Sequence, residues 1–224
     1  MDSHIIYPIA DFKSPYATKF GAPRQSGLVD VPGEIVFRPD YRSPDALRGI
    51  DDFEYLWLVW LFSENRHAAT AGTVRPPRLG GNTRLGVWAT RSPYRPNAIG
   101  LSTVRLLGVD RDTPQGPILR VLGADLIDST PIVDIKPYIP YADAHPDARA
   151  GFTDDNAWQP LLVNIAPEVE ALFTPDLLKA LRQTLEQDPR PHYHDDPKRV
   201  YGLLFAGHDL HFTVDNRRQL NCFL

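Results

Sequence analysis

The chain has 224 residues, of which 42% are hydrophobic and 23% charged, with a formal net charge of −4; these are the proportions of a soluble globular protein with a sizeable core. Its 22 prolines roughly double the 5% share typical of globular chains, which excludes a long helical bundle or a coiled coil. Cys222 is the only cysteine, so neither an intramolecular disulfide nor a cysteine-built zinc site is available.

The start, Met1-Asp2-Ser3-His4, lacks the basic residues and apolar run of a signal peptide, and a cytoplasmic location is expected. Strand-like stretches dominate the first two thirds. Ile5 to Phe12 is rich in β-formers and Glu34 to Phe37 is a second candidate. A short helix is expected from Ser43, with Pro44 at its first position. Tyr55 to Phe62 is a continuous apolar run, read as a strand buried on both faces and far too short for a membrane span. Gly86 to Thr90, Leu101 to Val109, Ile118 to Leu122 and Ile132 to Ile135 continue the pattern, and many short strands between turns point to a barrel or sandwich.

Residues 141–160 are polar and rich in Asp, Ala and Pro, as in a linker. Thr174 then caps a helix through Gln187, with Pro175 first and an apolar stripe of Leu177, Leu178, Leu181 and Leu185. Val200 to Ala206 and Asp209 to Val214 flank Gly207 as a hairpin. The expected division is a domain over 1–140, a linker over 141–160 and a small α+β domain over 161–224.

Charge is unevenly spread. Between Arg66 and Val109 there is no Asp, Glu or Lys, but there are seven arginines: Arg66, Arg75, Arg78, Arg84, Arg91, Arg95 and Arg105. Arginine offers a planar fork that binds phosphates and carboxylates in pairs of hydrogen bonds. Two loops present these side chains under backbone control by proline and glycine: Val74-Arg-Pro-Pro-Arg-Leu-Gly-Gly-Asn82, and Ala89 to Gly100 with Tyr94 between Arg91 and Arg95. Arginines interleaved with an aromatic suit a nucleotide or single-stranded nucleic acid; rigid loops paired with the acidic remainder of the chain are the other reading.

Familiar enzyme motifs are missing. No G-x-G-x-x-G follows a strand, Gly-Lys never occurs, and G-x-S-x-G is absent, so Rossmann, P-loop and nucleophile-elbow sites lack support. His192, His194, His208 and His211 lie in a charged loop and across a hairpin, and no metal is expected.

Lys13-Ser-Pro-Tyr16, Pro23-Arg-Gln25, Leu47-Arg-Gly49, Val74 to Asn82, Gly86 to Ser102, Asp128 to Tyr138 and Gln187-Asp-Pro-Arg-Pro191 stand in the order and spacing of one family. By these segments the chain closely resembles the TrmO (TsaA-like, YaeB-like) tRNA methyltransferases, over nearly its whole length. The resemblance implies a mainly β fold: a non-Rossmann β-barrel methyltransferase domain with a small α+β C-terminal domain that helps recognise tRNA. It implies a homodimer that takes a methyl group from S-adenosyl-L-methionine. The acceptor would be the exocyclic nitrogen of threonylcarbamoyladenosine, beside the anticodon of threonine tRNAs.

Carried over by motif, the cofactor contacts are Pro23, Arg24 and Gln25, then Ser63 and Glu64, Arg91, Leu101, and the turn Leu122, Gly123, Ala124 and Asp125. Ser63-Glu64 departs from the His-Gln that other members often carry. Asp128, Asp134 and Lys136 are the candidate catalytic residues; Lys136 follows Asp134 on the same face of an extended strand, where the two either handle the proton or form a structural ion pair. Arg75, Arg78, Arg84, Tyr94, Arg95, Tyr138 and Arg190 are the candidate tRNA contacts. Two rivals remain: a non-catalytic RNA-binding module using the same loops, and a cofactor-using enzyme that clamps a small anionic metabolite.

Overall fold

The computed structural model describes residues 4–65, 72–76, 79, 83–155, 159–191 and 196–224. Along Tyr55 to Leu61 the side chains alternate: Leu56, Leu58 and Trp60 are buried in a core, while the residues between them face outward. The cause is closure of the sheet. Strands β1 (Ala10–Lys13), β2 (Pro32–Phe37) and β3 (Tyr55–Leu61) are followed by a two-stranded ribbon of β4 (Thr73–Val74) and β5 (Leu85–Gly86), then by β6 (Ile99–Asp110), β7 (Ile118–Leu122) and β8 (Thr130–Pro137). Six of them close into an antiparallel barrel in the order β1-β2-β7-β6-β3-β8. The fold is thus mainly β, as the resemblance implies.

The barrel corrects three local expectations. β3 is buried on one face only, because a closed antiparallel barrel has a single interior. Its outer face gains partial cover from Tyr138, whose ring lies 5.8 Å from Trp57 and 6.2 Å from Tyr55. Pairing of the first strand begins at Ala10; Pro8 has no amide to give, and Ile5, Ile6 and Tyr7 are exposed. Gly86 to Thr90 is not a strand either, since β5 ends at Gly86 and Val87–Ala89 forms a 3-10 turn. The short helix expected from Ser43 is a 3-10 helix over Pro44–Leu47, with Ser43 at its N-cap.

After β8, the helical turn α1 (Pro140–Asp143) receives the Trp57 Nε1 hydrogen on Asp143 Oδ2 at 3.0 Å. The second unit comprises β9 (Leu162–Ile165), α2 (Pro167–Glu170), α3 (Pro175–Glu186), β10 (Tyr201–Phe205), β11 (His208–Val214) and β12 (Gln219–Phe223). Thr174 accepts the Leu177 amide as the cap of α3, and Leu181 and Leu185 are buried while Leu177 and Leu178 are half-buried. Ala206 and Gly207 both take positive φ, 47° and 82°, in the two-residue turn from β10 to β11. The sheet order β10-β11-β12-β9 includes a parallel pair, β12 with β9, that periodicity did not reveal.

The two cores meet through the segment between β1 and β2. Tyr16, Val29 and Val31 pack into the core of the second unit with Leu203, Phe205 and Phe212. Ala206 donates to the Pro15 carbonyl at 2.8 Å, and Asp30 donates its amide to Gln183 Oε1 at 2.7 Å.

Candidate active site

At one end of the barrel, the strands deliver side chains into a cleft of about 1410 Å³. Its floor is the barrel interior. Trp60 donates its indole hydrogen to Ser102 Oγ at 3.0 Å, and Ser102, its oxygen so engaged, donates to Asp125 Oδ1 at 2.5 Å. Gly100 lies under the indole, where a Cβ would come within 2.3 Å of the ring, so glycine is required for Trp60 to lie flat across β6. Burial holds the Asp125 carboxyl above the usual carboxylate range, against the opposing pull of Ser102, of backbone amides including Ser26, and of the Arg91 charge.

The walls come from four segments. The turn Ala22 to Gln25 follows Gly21, whose φ of 88° swings the chain toward the cleft. Leu61 to Asn65 continue β3 past the barrel rim, and Lys19 Nζ holds the far end by donating to the Glu64 carbonyl at 3.0 Å and Asn65 Oδ1 at 3.2 Å. The ribbon of β4 and β5 brings Arg75 and Arg84, the latter donating to Thr73 Oγ1 at 3.2 Å. The loop from Trp88 to Tyr94 forms the last wall, with Ala150, Phe152 and Thr153 facing it.

One hydrogen-bond chain ties two of these walls, the Ala22–Gln25 turn and the Trp88–Tyr94 loop, to the end of α3. Arg91 Nη1 donates to Gln25 Oε1 at 2.7 Å, Gln25 Nε2 donates to the Arg24 carbonyl at 2.5 Å, and Arg24 Nη2 donates to the Asp188 carbonyl at 3.1 Å. Among the described residues, Lys19, Arg24, Arg75, Arg84 and Arg91 set five cations on the lining against Glu64 and Asp125. Trp88 is 73% exposed and, with Tyr94, offers flat apolar surface between those charges. A cationic cleft with exposed rings and one half-buried carboxylate is equipped to hold a planar heterocycle, an anion and a cationic group together.

Of the residues carried over for the cofactor, Pro23, Arg24, Gln25, Ser63, Glu64, Arg91 and Asp125 line this cleft. Leu101, 56% exposed, is on the outer face of β6. Leu122 ends β7; Gly123, at φ 89°, donates to Val31 and accepts from Gly27, and Ala124 is buried. That turn delivers Asp125 alone to the lining.

The candidate catalytic residues lie elsewhere. Asp128 accepts the Ser14 amide at 3.2 Å and the Ser129 hydroxyl at 2.9 Å, closing the end of β1. Asp134 and Lys136 form a 2.8 Å ion pair on the outer face of β8, opposite Val59 and Trp57. Among the candidate tRNA contacts, Arg75, Arg84 and Tyr94 line the cleft. Arg95 instead donates to the Thr90 and Ser92 carbonyls at 2.9 and 3.3 Å and lies 5.6 Å over the Trp88 ring. Tyr138 packs beside Trp57, and Arg190 is chelated by Asp188. Arg78 lies outside the described residues.

Lys19, Trp60, Ser102 and Trp88 escaped the sequence reading. A flanking aromatic in the arginine-rich loop was the available signal for Trp88; a lone serine in a strand gives none. Among the described residues no group of three or more His, Cys, Asp or Glu is gathered as for a metal ion, and no helix is long and apolar enough to cross a membrane.

Comparison with known proteins gives the following. Residues 11–144 match the model of the tRNA-methyltransferase O N-terminal domain, and residues 159–222 match that of the TrmO C-terminal domain. The chain is 43% identical to the tRNA (adenine(37)-N6)-methyltransferase of Escherichia coli strain K12, over 96% of this chain and 94% of that one. It is 38% identical to RcsF of Pseudomonas aeruginosa, whose name carries the words S-adenosylmethionine-dependent methyltransferase, over 94% and 92% of the two chains. A crystal structure of TrmO superposes with a TM-score of 0.78 at 32% identity, covering 99% of this chain and 98% of that one.

Proposed function

Because the chain belongs to the tRNA-methyltransferase O family, we propose that it methylates the exocyclic N6 of an adenine in tRNA, using S-adenosylmethionine as donor. The proposed acceptor is threonylcarbamoyladenosine beside the anticodon of threonine tRNAs. The observation that carries this reading is the cleft itself: cationic walls and exposed rings over a half-buried carboxylate, at the mouth of a barrel.

The residues fit such a donor. Trp88 and Tyr94 supply ring faces for an adenine, Asp125 a carboxylate for a cationic group, and Arg91 a cation for a carboxylate. A volume of about 1410 Å³ also exceeds the ~300–1,000 Å³ of a single small-molecule site, which leaves room for an acceptor base alongside. When bound, S-adenosylmethionine supplies a methyl group activated by sulfonium charge.

The chain's own part is position and charge. Asp125, fixed by Ser102, orients the donor from the floor, and the Ala22–Gln25 turn closes one side of it. Arg75 and Arg84, at the rim, take phosphates of the anticodon loop, whose unpaired bases can enter a cleft without breaking a duplex. Arg95 keeps the Trp88–Tyr94 loop in shape.

A homodimer is part of this proposal. Tyr55, Ile99 and Leu101 leave an exposed apolar band on the outer face of β3 and β6, beside the Asp134–Lys136 pair on β8. Packing through that band would remove it from water and carry the pair to a subunit boundary, where it can serve the acceptor's proton. With tRNA as its substrate, the cytoplasm is the proposed compartment.

The test is methyl transfer from labelled S-adenosylmethionine to threonine tRNA that carries the modified base, beside an unmodified transcript of the same tRNA. Label confined to the modified tRNA, at the base next to the anticodon, is the expected result. Binding of tRNA without any binding of the donor would replace this reading with the RNA-binding module.

A further inference from the structure

α3 ends in a particular way. Gln187 and Asp188 donate their amides back to the last turn, and Asp188 takes the left-handed conformation, φ 50°, which carboxamide and carboxylate side chains tolerate better than most. Pro189 follows, with no amide to continue the helix. This turn points the Asp188 carbonyl at Arg24, which donates to it at 3.1 Å across 164 residues of sequence.

Arg190 secures the same turn. Its Nε and Nη2 donate to Oδ1 and Oδ2 of Asp188, both at 2.8 Å, and its amide donates to Oδ1 at 3.3 Å. The two side chains are 16% and 15% exposed, whereas every other ion pair given for the described residues has both side chains at least 36% exposed. A fork-to-fork pair at that burial is a geometric lock, and a guanidinium spent on its neighbour two residues away is poorly disposed to neutralise a phosphate.

We propose that the Asp188–Arg190 pair is a positioning element of the donor site: it holds the peptide after α3 so that its carbonyl anchors Arg24, and through Gln25 it sets the Arg91 guanidinium on the cleft wall. The C-terminal unit therefore acts on donor binding and not only on tRNA. The inference rests on the reading that the cleft binds S-adenosylmethionine, and it gives Arg190 a role different from the tRNA contact implied by the resemblance.

The experiment measures three things on the full-length wild type, Arg190→Ala, Asp188→Asn and Arg24→Ala. They are the dissociation constant of S-adenosylmethionine, KM and kcat for methyl transfer, and the salt dependence of tRNA binding. Arg190→Ala is expected to weaken donor binding about tenfold, with kcat at saturating donor within about twofold and the salt slope unchanged. Asp188→Asn keeps the left-handed turn and one acceptor, so it shows a smaller loss of the same kind and carries the test should Arg190→Ala fail to fold. Adding Arg190→Ala to Arg24→Ala costs little more than Arg24→Ala alone, because both act through one link.

Unchanged donor affinity together with a salt slope lower by about one would overturn the inference and make Arg190 a phosphate contact. Full additivity of the two substitutions would overturn it as well. A wild type that binds no S-adenosylmethionine sinks the functional reading and this inference with it; a binding wild type with an unaltered Arg190→Ala sinks the inference alone.

Discussion

Ser102 gives its only hydroxyl proton to Asp125 while its oxygen accepts the Trp60 indole hydrogen from the other side. The direction of this relay is fixed when Asp125 is ionised: an indole can only donate and a carboxylate can only accept, so the serine between them passes its own proton on. Ser102→Ala therefore orphans the buried Trp60 donor and takes one hydrogen bond from Asp125, which keeps those from backbone amides including Ser26. The expected cost is about 1–3 kcal/mol of stability, that of one unsatisfied buried group. Urea denaturation reads that cost, and donor titration should show a loss of about tenfold, since Asp125 is held less firmly. Unchanged donor affinity would mean that the carboxylate keeps its place without the serine.

The pH response of the same group follows from the sign of its shift. Burial raises the Asp125 carboxyl above the ordinary carboxylate range. The fold therefore favours the neutral acid, so the stability it contributes is present at low pH and lost as pH rises through the raised value. Asp125→Asn removes that penalty: it should melt higher than wild type near pH 8 and lose the advantage in acid. Donor binding needs the carboxylate and should run the other way, weakening as pH falls through the raised value. In Ser102→Ala this limb moves further up, because the Ser102 hydrogen bond is one of the influences that lower the shift. A wild-type donor affinity that stays flat as pH falls through the whole carboxylate range would exclude an ionised Asp125 from the site.

Much of the frame was legible because it is local. The apolar run at β3, the Thr174-Pro175 start of α3 and the Ala206-Gly207 turn each declare themselves within a dozen residues. What stayed hidden is the pairing of distant segments. β12 lies parallel to β9 although more than fifty residues separate them, and neither strand is long enough to advertise a period. The same holds for the site. The arginine loops stand out in composition, yet Gln25 meets Arg91 across 66 residues and Arg24 meets Asp188 across 164. Ser102 is a small polar residue in a barrel-interior position, which no local pattern distinguishes from a surface serine. Asp125 came from the resemblance, and its burial only from the fold.

Arg75 and Arg84 differ from Arg95 in a way that binding can detect. The first two line the rim of the cleft, while Arg95 is engaged with the Thr90 and Ser92 carbonyls. If the rim meets tRNA phosphates, Arg75→Ala and Arg84→Ala each weaken tRNA binding for all sequences alike and reduce the salt slope by about one. Arg95→Ala should leave the slope unaltered and lower donor affinity instead, through the loosened Trp88–Tyr94 wall. Filter binding across a salt series separates the two behaviours. A reduced slope for Arg95→Ala would show that its guanidinium leaves the carbonyls to meet the tRNA.

The junction between the two cores turns on Tyr16 and Thr184, both buried and 2.5 Å apart. Thr184 donates its hydroxyl proton to the Ala180 carbonyl at 2.8 Å, so the phenol must be the donor between them. Burial correspondingly pushes the Tyr16 hydroxyl well above the ordinary phenol range, keeping that proton in place. The two single substitutions are therefore unequal. Tyr16→Phe removes a donor but leaves the Thr184 proton satisfied, at a cost of about 1 kcal/mol. Thr184→Val leaves the buried phenol O–H with no acceptor from that residue, at about 1–3 kcal/mol. In the double variant the orphaned hydroxyl is gone, so its midpoint in urea should lie above that of Thr184→Val alone. A double variant less stable than both singles, by the full sum of their losses, would mean that the two groups act independently and that the hydrogen bond does not join the units.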